Sequence, residues 1–175
     1  MDHNSPPSPS LGEFNVCVLG NTKVGKSSII QRFTNTNFSD NYIATVGVDF
    51  ESTIIQLDTG NIRVNIYDLS GEANFLWSAK EQIRSADAFV YVYDMTQYES
   101  FSAAKRWYDV VNPHAKARNL PKLLLGNRLD MRHKQAVAAI EAKEFGVPEG
   151  MKHVECSAKS GDLFIYKYVL QYNII

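Results

Sequence analysis

Residues 20–27 read Gly-Asn-Thr-Lys-Val-Gly-Lys-Ser, a G-x-x-x-x-G-K-[ST] run placed directly after the apolar stretch Phe14-Asn15-Val16-Cys17-Val18-Leu19 and ahead of the helical pattern Ser28-Ile29-Ile30-Gln31-Arg32-Phe33. A strand that ends in such a loop and reopens as a helix aims consecutive backbone N–H groups, and the positive end of the helix, at one spot. That arrangement suits a nucleoside polyphosphate. Asn21, Thr22, Lys23, Val24, Gly25 and Ser28 are assigned to the nucleotide together with Lys26, which would reach the β- and γ-phosphates. Ser27 would place its hydroxyl on Mg²⁺.

The rest of the composition narrows the field. With 175 residues, 45% of them hydrophobic, the chain has the length and core content of one domain. A formal net charge of -1 and the lack of a basic stripe argue against a nucleic-acid surface, so phosphate affinity must be local to the loop. Residues 1–12 are rich in Pro and Ser and predict a disordered tail ahead of a domain over 13–175. The chain start lacks the charged and apolar regions of a secretory signal, and no run of about 18 apolar residues occurs, which predicts a cytoplasmic protein. Cys17 and Cys156 each fall in a predicted strand and read as buried thiols, with a disulfide between them left open. His3, His114, His133 and His153 have no metal-ligand spacing.

Strand and helix patterns alternate from Phe14 onward. Residues 51–57 and 62–67 flank the turn sequence Asp58-Thr59-Gly60-Asn61 and read as a hairpin, which makes the sheet mixed. Residues 88–93 and 122–125 are near-continuous apolar runs, as expected of strands covered on both faces, and 153–156 is a short last strand. Helical patterns lie at about 100–111, 135–145 (followed by Gly146) and 162–172. The expected fold is a doubly wound α/β domain of about six strands with helices on both faces and its ligand beyond the carboxyl ends of the parallel strands.

Those strand ends carry polar clusters that a core does not need. Asp68-Leu69-Ser70-Gly71 offers a carboxylate for Mg²⁺ and a glycine whose N–H can approach a γ-phosphate. Gly126-Asn127-Arg128-Leu129-Asp130 and Ser157-Ala158-Lys159 follow the last two strands. Asp130 can accept hydrogen bonds from N1–H and the exocyclic amine of guanine, a donor pair that adenine lacks. Asn127 and the N–H of Ala158 would complete the base site, with Lys159 nearby.

In this order and at these positions, the motifs resemble the Ras superfamily of small GTPases over nearly the whole length from Phe14. Phe50 and the stretch Tyr91-Val92-Tyr93-Asp94-Met95-Thr96-Gln97-Tyr98-Glu99-Ser100-Phe101 resemble the Rab branch in particular. The resemblance implies a P-loop small G domain that binds GTP and GDP with Mg²⁺. It makes Thr45, in Thr45-Val46-Gly47-Val48-Asp49-Phe50, a ligand of the metal and the γ-phosphate, places Phe38 against the base, and sets Tyr42 over the phosphates. By the same resemblance, residues 37–49 and 71–84 should order around the γ-phosphate, and an exchange factor, a GTPase-activating protein and effectors in vesicle traffic are implied. Lys26, Thr45, Gly71 and the residue after Gly71 would carry the hydrolysis.

Several positions depart from the family pattern. The family's Asn-Lys-x-Asp is Asn127-Arg128-Leu129-Asp130 here, so an arginine stem must cover the base. The usual Asp-Thr-Ala-Gly-Gln is Asp68-Leu69-Ser70-Gly71-Glu72, which predicts slow GTP hydrolysis; a nucleotide-binding scaffold without turnover is the alternative. Gln82 and Ile83 stand where Rab proteins carry paired tyrosines, ahead of Arg84 and Ala86. With Tyr172-Asn173-Ile174-Ile175 at its end and Asp2 after Met1, the chain is expected to have no direct lipid anchor, so any place on endomembranes would depend on a longer chain or a partner.

Overall fold

The computed structural model describes residues 10–35, 43–72 and 77–161. The element order is β1 (Ser10–Leu19), α1 (Lys26–Asn35), β2 (Val48–Leu57), β3 (Gly60–Leu69), α2 (Lys80–Ser85), β4 (Ala88–Asp94), α3 (Tyr98–Ala117), β5 (Lys122–Asn127), α4 (Ala139–Gly146) and β6 (Lys152–Glu155). The six strands form one sheet in the order β2-β3-β1-β4-β5-β6. Only β2 and β3 run antiparallel, closed by the two-residue turn at Asp58 and Thr59 that sets Leu57 opposite Gly60. The mixed α/β sheet expected from the sequence is therefore the one observed.

Because β1, β3, β4, β5 and β6 are mutually parallel, all five release the chain at the same edge. There β1 hands over to the loop at Gly20 while its neighbours β3 and β4 hand over at Ser70 and Met95. A crevice opens at such a reversal of strand order. Alternation along the strands divides the core. Val18, Val92, Leu123 and Leu125 face Ile29 and Ile30 of α1 on one side. Cys17, Leu19, Tyr91, Tyr93 and Leu124 face Ile83 of α2, Phe101 and Tyr108 of α3, and Ala142 of α4 on the other. Strands covered on both faces show near-continuous apolar sequence for this reason.

The element ends correct several sequence expectations. β1 begins at Ser10, so Ser10, Leu11 and Gly12 leave the stretch 1–12 assigned to a tail; Ser10 and Gly12 pair with Asn61 and Ile62 across a register shift. Composition cannot foresee this, because β3 supplies the partner. Helix α3 runs through Pro113 to Ala117 instead of stopping near 111, since Phe101, Ala104, Tyr108, Val111 and Ala115 form one buried stripe whose packing offsets the lost N–H bond. Helix α4 starts at Ala139 rather than near 135. The N–H groups of Ala136 and Val137 both go to the Met95 carbonyl, at 2.8 and 3.1 Å, and hold that segment across the end of β4. Residues 129–134 form a 3-10 helix that the pattern did not indicate. The helix expected at 162–172, and residues 1–9, lie outside the described residues.

Cys17 and Cys156 are free thiols buried in the cores on opposite sheet faces. Burial pushes both up to about 12, which keeps them protonated and unreactive at neutral pH. His153 is a half-buried titratable group: its Nε2 lies 3.0 Å from the Tyr93 hydroxyl, and desolvation, helped by the charge of Lys143, lowers its pKa from 6.5 to about 4. A depressed histidine contributes stability above its unfolded pKa and loses it as pH falls toward the folded one, because the unfolded chain takes up the proton first. Urea midpoints should therefore drop between about pH 6.5 and 4. With the partial exposure of the ring discounted, the loss is about 1–2 kcal/mol. His153→Gln should flatten this segment of the profile; an undiminished drop in the variant would assign it to other groups.

Candidate functional site

The loop after β1 is shaped by close approaches that leave no room for side chains. Gly25 has φ +93°, and a Cβ there would sit 2.3 Å from Nδ2 of Asn127. Its carbonyl accepts the first helical bond of α1 from the Ile29 N–H at 3.0 Å. Lys26 opens α1 with only 6% of its surface exposed. Its Nζ donates to the carbonyls of Gly20 at 3.1 Å and Asn21 at 3.0 Å, which holds the ammonium over the loop. Burial lowers the Lys26 pKa and the nearby Asp68 raises it.

Next to the ammonium, three oxygen-bearing side chains from separate elements converge. Ser27 of α1 donates to Oδ2 of Asp68 at the end of β3, Thr45 Oγ1 donates to the same oxygen at 3.3 Å, and the two hydroxyls lie 3.2 Å apart. Asp68 Oδ1 is buried and has no hydrogen-bond partner among the described residues. Burial raises the Asp68 pKa; the Ser27 hydroxyl, the Lys26 charge and the Thr45 hydroxyl pull it down, and Asp49 adds a smaller upward push. An orphaned carboxylate oxygen beside two hydroxyls is a hard donor set of the kind that holds a divalent cation with phosphate oxygens.

Gly71 is wedged against the same loop. A Cβ at this position would lie 2.2 Å from the Thr22 nitrogen and 2.4 Å from the Asn21 carbonyl carbon, so only glycine lets this backbone come so close. One residue earlier, the Ser70 N–H donates to the Gly47 carbonyl at 2.8 Å, which joins the segment around Thr45 to the segment around Gly71. Glu72 is exposed and borders the opening.

The far end of the site comes from β5 and β6. Asn127 donates through Nδ2 to the Val24 carbonyl at 2.8 Å and accepts through Oδ1 from the Ala158 N–H at 3.2 Å, so its amide fastens the phosphate loop to the Ser157-Ala158-Lys159 loop. Asp130 stands at the surface of the opening with Oδ1 accepting from Ser157 Oγ at 2.5 Å, while Oδ2 makes no bond among the described residues. Arg32, on α1, was missed by the sequence reading. Its guanidinium donates to the carbonyls of Ala158 at 3.0 Å and Lys159 at 2.9 Å and so supports the base loop from beneath. No local motif marks it, because its partners lie over a hundred residues away in the chain.

These pieces enclose a cleft of about 950 Å³. Of the residues picked from the sequence, Thr22, Lys23, Gly25, Lys26, Ser27, Ser28, Thr45, Gly71, Glu72, Asn127, Arg128, Asp130, Ala158 and Lys159 line it. Val24 and Ser157 are buried behind the wall, Asn21 turns its carbonyl to Lys26, and Asp68 lies buried below Ser27. Gln31, Ile43, Ala44 and Met131 also line the cleft and were not anticipated. Phe38 and Tyr42 fall outside the described residues. The cleft thus has an ammonium and loop amides at one end and a half-engaged carboxylate at the other, which can hold a polyphosphate and read a base. A sequence model of the Ras family matches residues 15–167, a span that contains every one of these walls. With that match over most of its length, the chain belongs to the Ras family, the GTP-binding switches that hydrolyse their nucleotide.

Proposed function

We propose that this chain is a Rab-like guanine-nucleotide switch that holds GTP or GDP with Mg²⁺ and turns GTP over slowly. The observation that carries this reading is the single cleft shared by Lys26 and Asp130. Ser27, Thr45 and Asp68 would hold Mg²⁺, which would supply neutralisation of phosphate charge. Gly71 and Thr45, already tied through the Ser70–Gly47 bond, would meet the γ-phosphate together, and that contact would distinguish the triphosphate state.

The Rab-like assignment draws support from the surface beside these segments. Ile43 is 84% exposed, Trp77 70% and Phe50 54%, and the Phe50 ring leans on Tyr67 at a centroid distance of 5.4 Å. Exposed apolar side chains on the segments that carry Thr45 and follow Gly71 suit an effector surface. Regulators and effectors of vesicle traffic are the implied partners, and a cytoplasmic location peripheral to endomembranes goes with them. Identification of the nucleotide extracted from purified protein tests the reading directly: guanine nucleotide is expected, and adenine nucleotide would sink it.

Slow turnover follows from Glu72. A glutamine amide accepts from the attacking water and donates toward the charge growing on the transferring group, whereas an ionised carboxylate only accepts. With the exposed carboxylate turned in toward the γ-phosphate, the loss is about 1–3 kcal/mol of transition-state stabilisation, so Glu72→Gln should speed single-turnover hydrolysis roughly 5- to 150-fold; a Glu72 that stays turned to solvent would leave the rate unchanged. A glutamine variant no faster than wild type at neutral pH would remove this explanation. If neither form releases phosphate, the chain is the nucleotide-binding scaffold instead.

A further inference from the structure

Asp94, at the end of β4, takes no part in the site described above, yet its side chain is only 1% exposed. Oδ1 is occupied by the N–H of Thr96 at 2.9 Å and its hydroxyl at 2.7 Å. Among the described residues Oδ2 makes no hydrogen bond, and its one compensating charge is Nη1 of Arg128 at 3.0 Å. The other arm of the same guanidinium, Nη2, donates to the carbonyl of Lys23 in the phosphate loop at 2.9 Å. Arg128 reaches both from a left-handed backbone conformation, φ 72°, that a non-glycine residue seldom adopts.

A trans peptide plane sets its C=O and N–H in opposite directions. Fixing the Lys23 carbonyl on Arg128 therefore also fixes the direction of the Val24 N–H, and the Asn127 bond to the Val24 carbonyl does the same for the Gly25 N–H. We propose that Asp94 is a positioning residue for the phosphate loop: it acts through Arg128, whose rigid fork spans from the buried carboxylate to the Lys23 carbonyl and keeps the Val24 amide aimed at the phosphates. A lysine at position 128 places one compact charge and has no second planar arm to cover both acceptors. Nucleotide release is thereby set partly by a residue that never touches nucleotide. The inference rests on the nucleotide-binding reading of the cleft.

The test is the dissociation rate of a fluorescent N-methylanthraniloyl-GDP chased with excess GDP in Mg²⁺ buffer. Asp94→Asn, which keeps an acceptor for Thr96 but loses the charge, should release nucleotide about 10-fold faster with little change in association rate, as for most substitutions that loosen a formed complex. Added to Arg128→Met, the same substitution should have less than about a 2-fold further effect, since residues that work as one unit do not act additively. Unfolding of Asp94→Asn would shift the burden to Arg128→Lys, which keeps a cation beside Asp94 and should also release nucleotide about 10-fold faster. A wild-type rate in either folded variant, or effects that multiply in the double variant, would overturn the proposal. Failure of wild-type protein to bind any guanine nucleotide would overturn the proposed function instead.

Discussion

Asp130→Asn should lower GTP affinity by about 10⁴-fold and raise affinity for xanthine nucleotides, the largest change expected of any single substitution here. In the folded protein the Ser157 hydroxyl donates to Oδ1 of Asp130 and leaves Oδ2 unengaged at the mouth of the cleft. An asparagine at this position can keep Oδ1 as the acceptor for Ser157, which directs its Nδ2 amine into the cleft. That amine repels the N1–H and exocyclic amine of guanine but can donate to the second carbonyl of xanthine. A site built around hydrogen-bond donors rejects a base that lacks them far more strongly than an apolar pocket rejects a misfit. Competition of XTP, GTP and ATP against a fluorescent guanine nucleotide measures the change. Wild-type protein for which ATP competes as well as GTP would show that Asp130 does not read the base.

Lys26→Ala is expected to weaken both GTP and GDP by about 150- to 5,000-fold, corresponding to about 3–5 kcal/mol for removal of one member of a buried charge set. The effect has three sources in the structure. The phosphates lose the ammonium, the carbonyls of Gly20 and Asn21 lose their shared donor, and the buried Asp68 loses the cation that offsets its desolvation. The last two act on the nucleotide-free protein as well, so its melting temperature should fall along with the affinity. Calorimetric titration with thermal melting separates the contributions. A variant that melts lower but binds GTP as tightly as wild type would confine Lys26 to a structural role.

The sequence was most legible where residues close in the chain decide the outcome. The phosphate loop, α1 and the β2–β3 hairpin are set by local turn chemistry and by the period of apolar residues, and they form where the sequence indicates, with element ends that reach two or three residues further. The order of Asp68, Gly71, Asn127 and Asp130 at strand ends was also readable, because parallel strands must deliver their carboxyl ends to one edge. Long-range capture of backbone groups was not. The Met95 carbonyl delays α4 by taking the amides of Ala136 and Val137, and β3 recruits Ser10 and Gly12 from the apparent tail. Arg128 illustrates the limit most clearly. Its position in the base motif suggests only a stem lying over guanine, whereas the structure sends its guanidinium to Lys23 and Asp94. Asn127, assigned to the base, likewise has both ends of its amide engaged by protein groups.

The Asn127 amide also bears on when the protein becomes competent during synthesis. It joins Val24, 103 residues before it, to Ala158, 31 residues after it, and Arg32 closes the same circuit across 126 residues. A nascent chain that has emerged only as far as β5 owns the complete phosphate loop but has no backbone amide at position 158 to hold its base motif. Nucleotide capture is therefore expected late, after β6 has paired. Once it occurs, the ligand stabilises only the finished fold and stabilises it by mass action, so resistance of newly made protein to proteolysis should climb with the logarithm of free guanine nucleotide in the translation mixture.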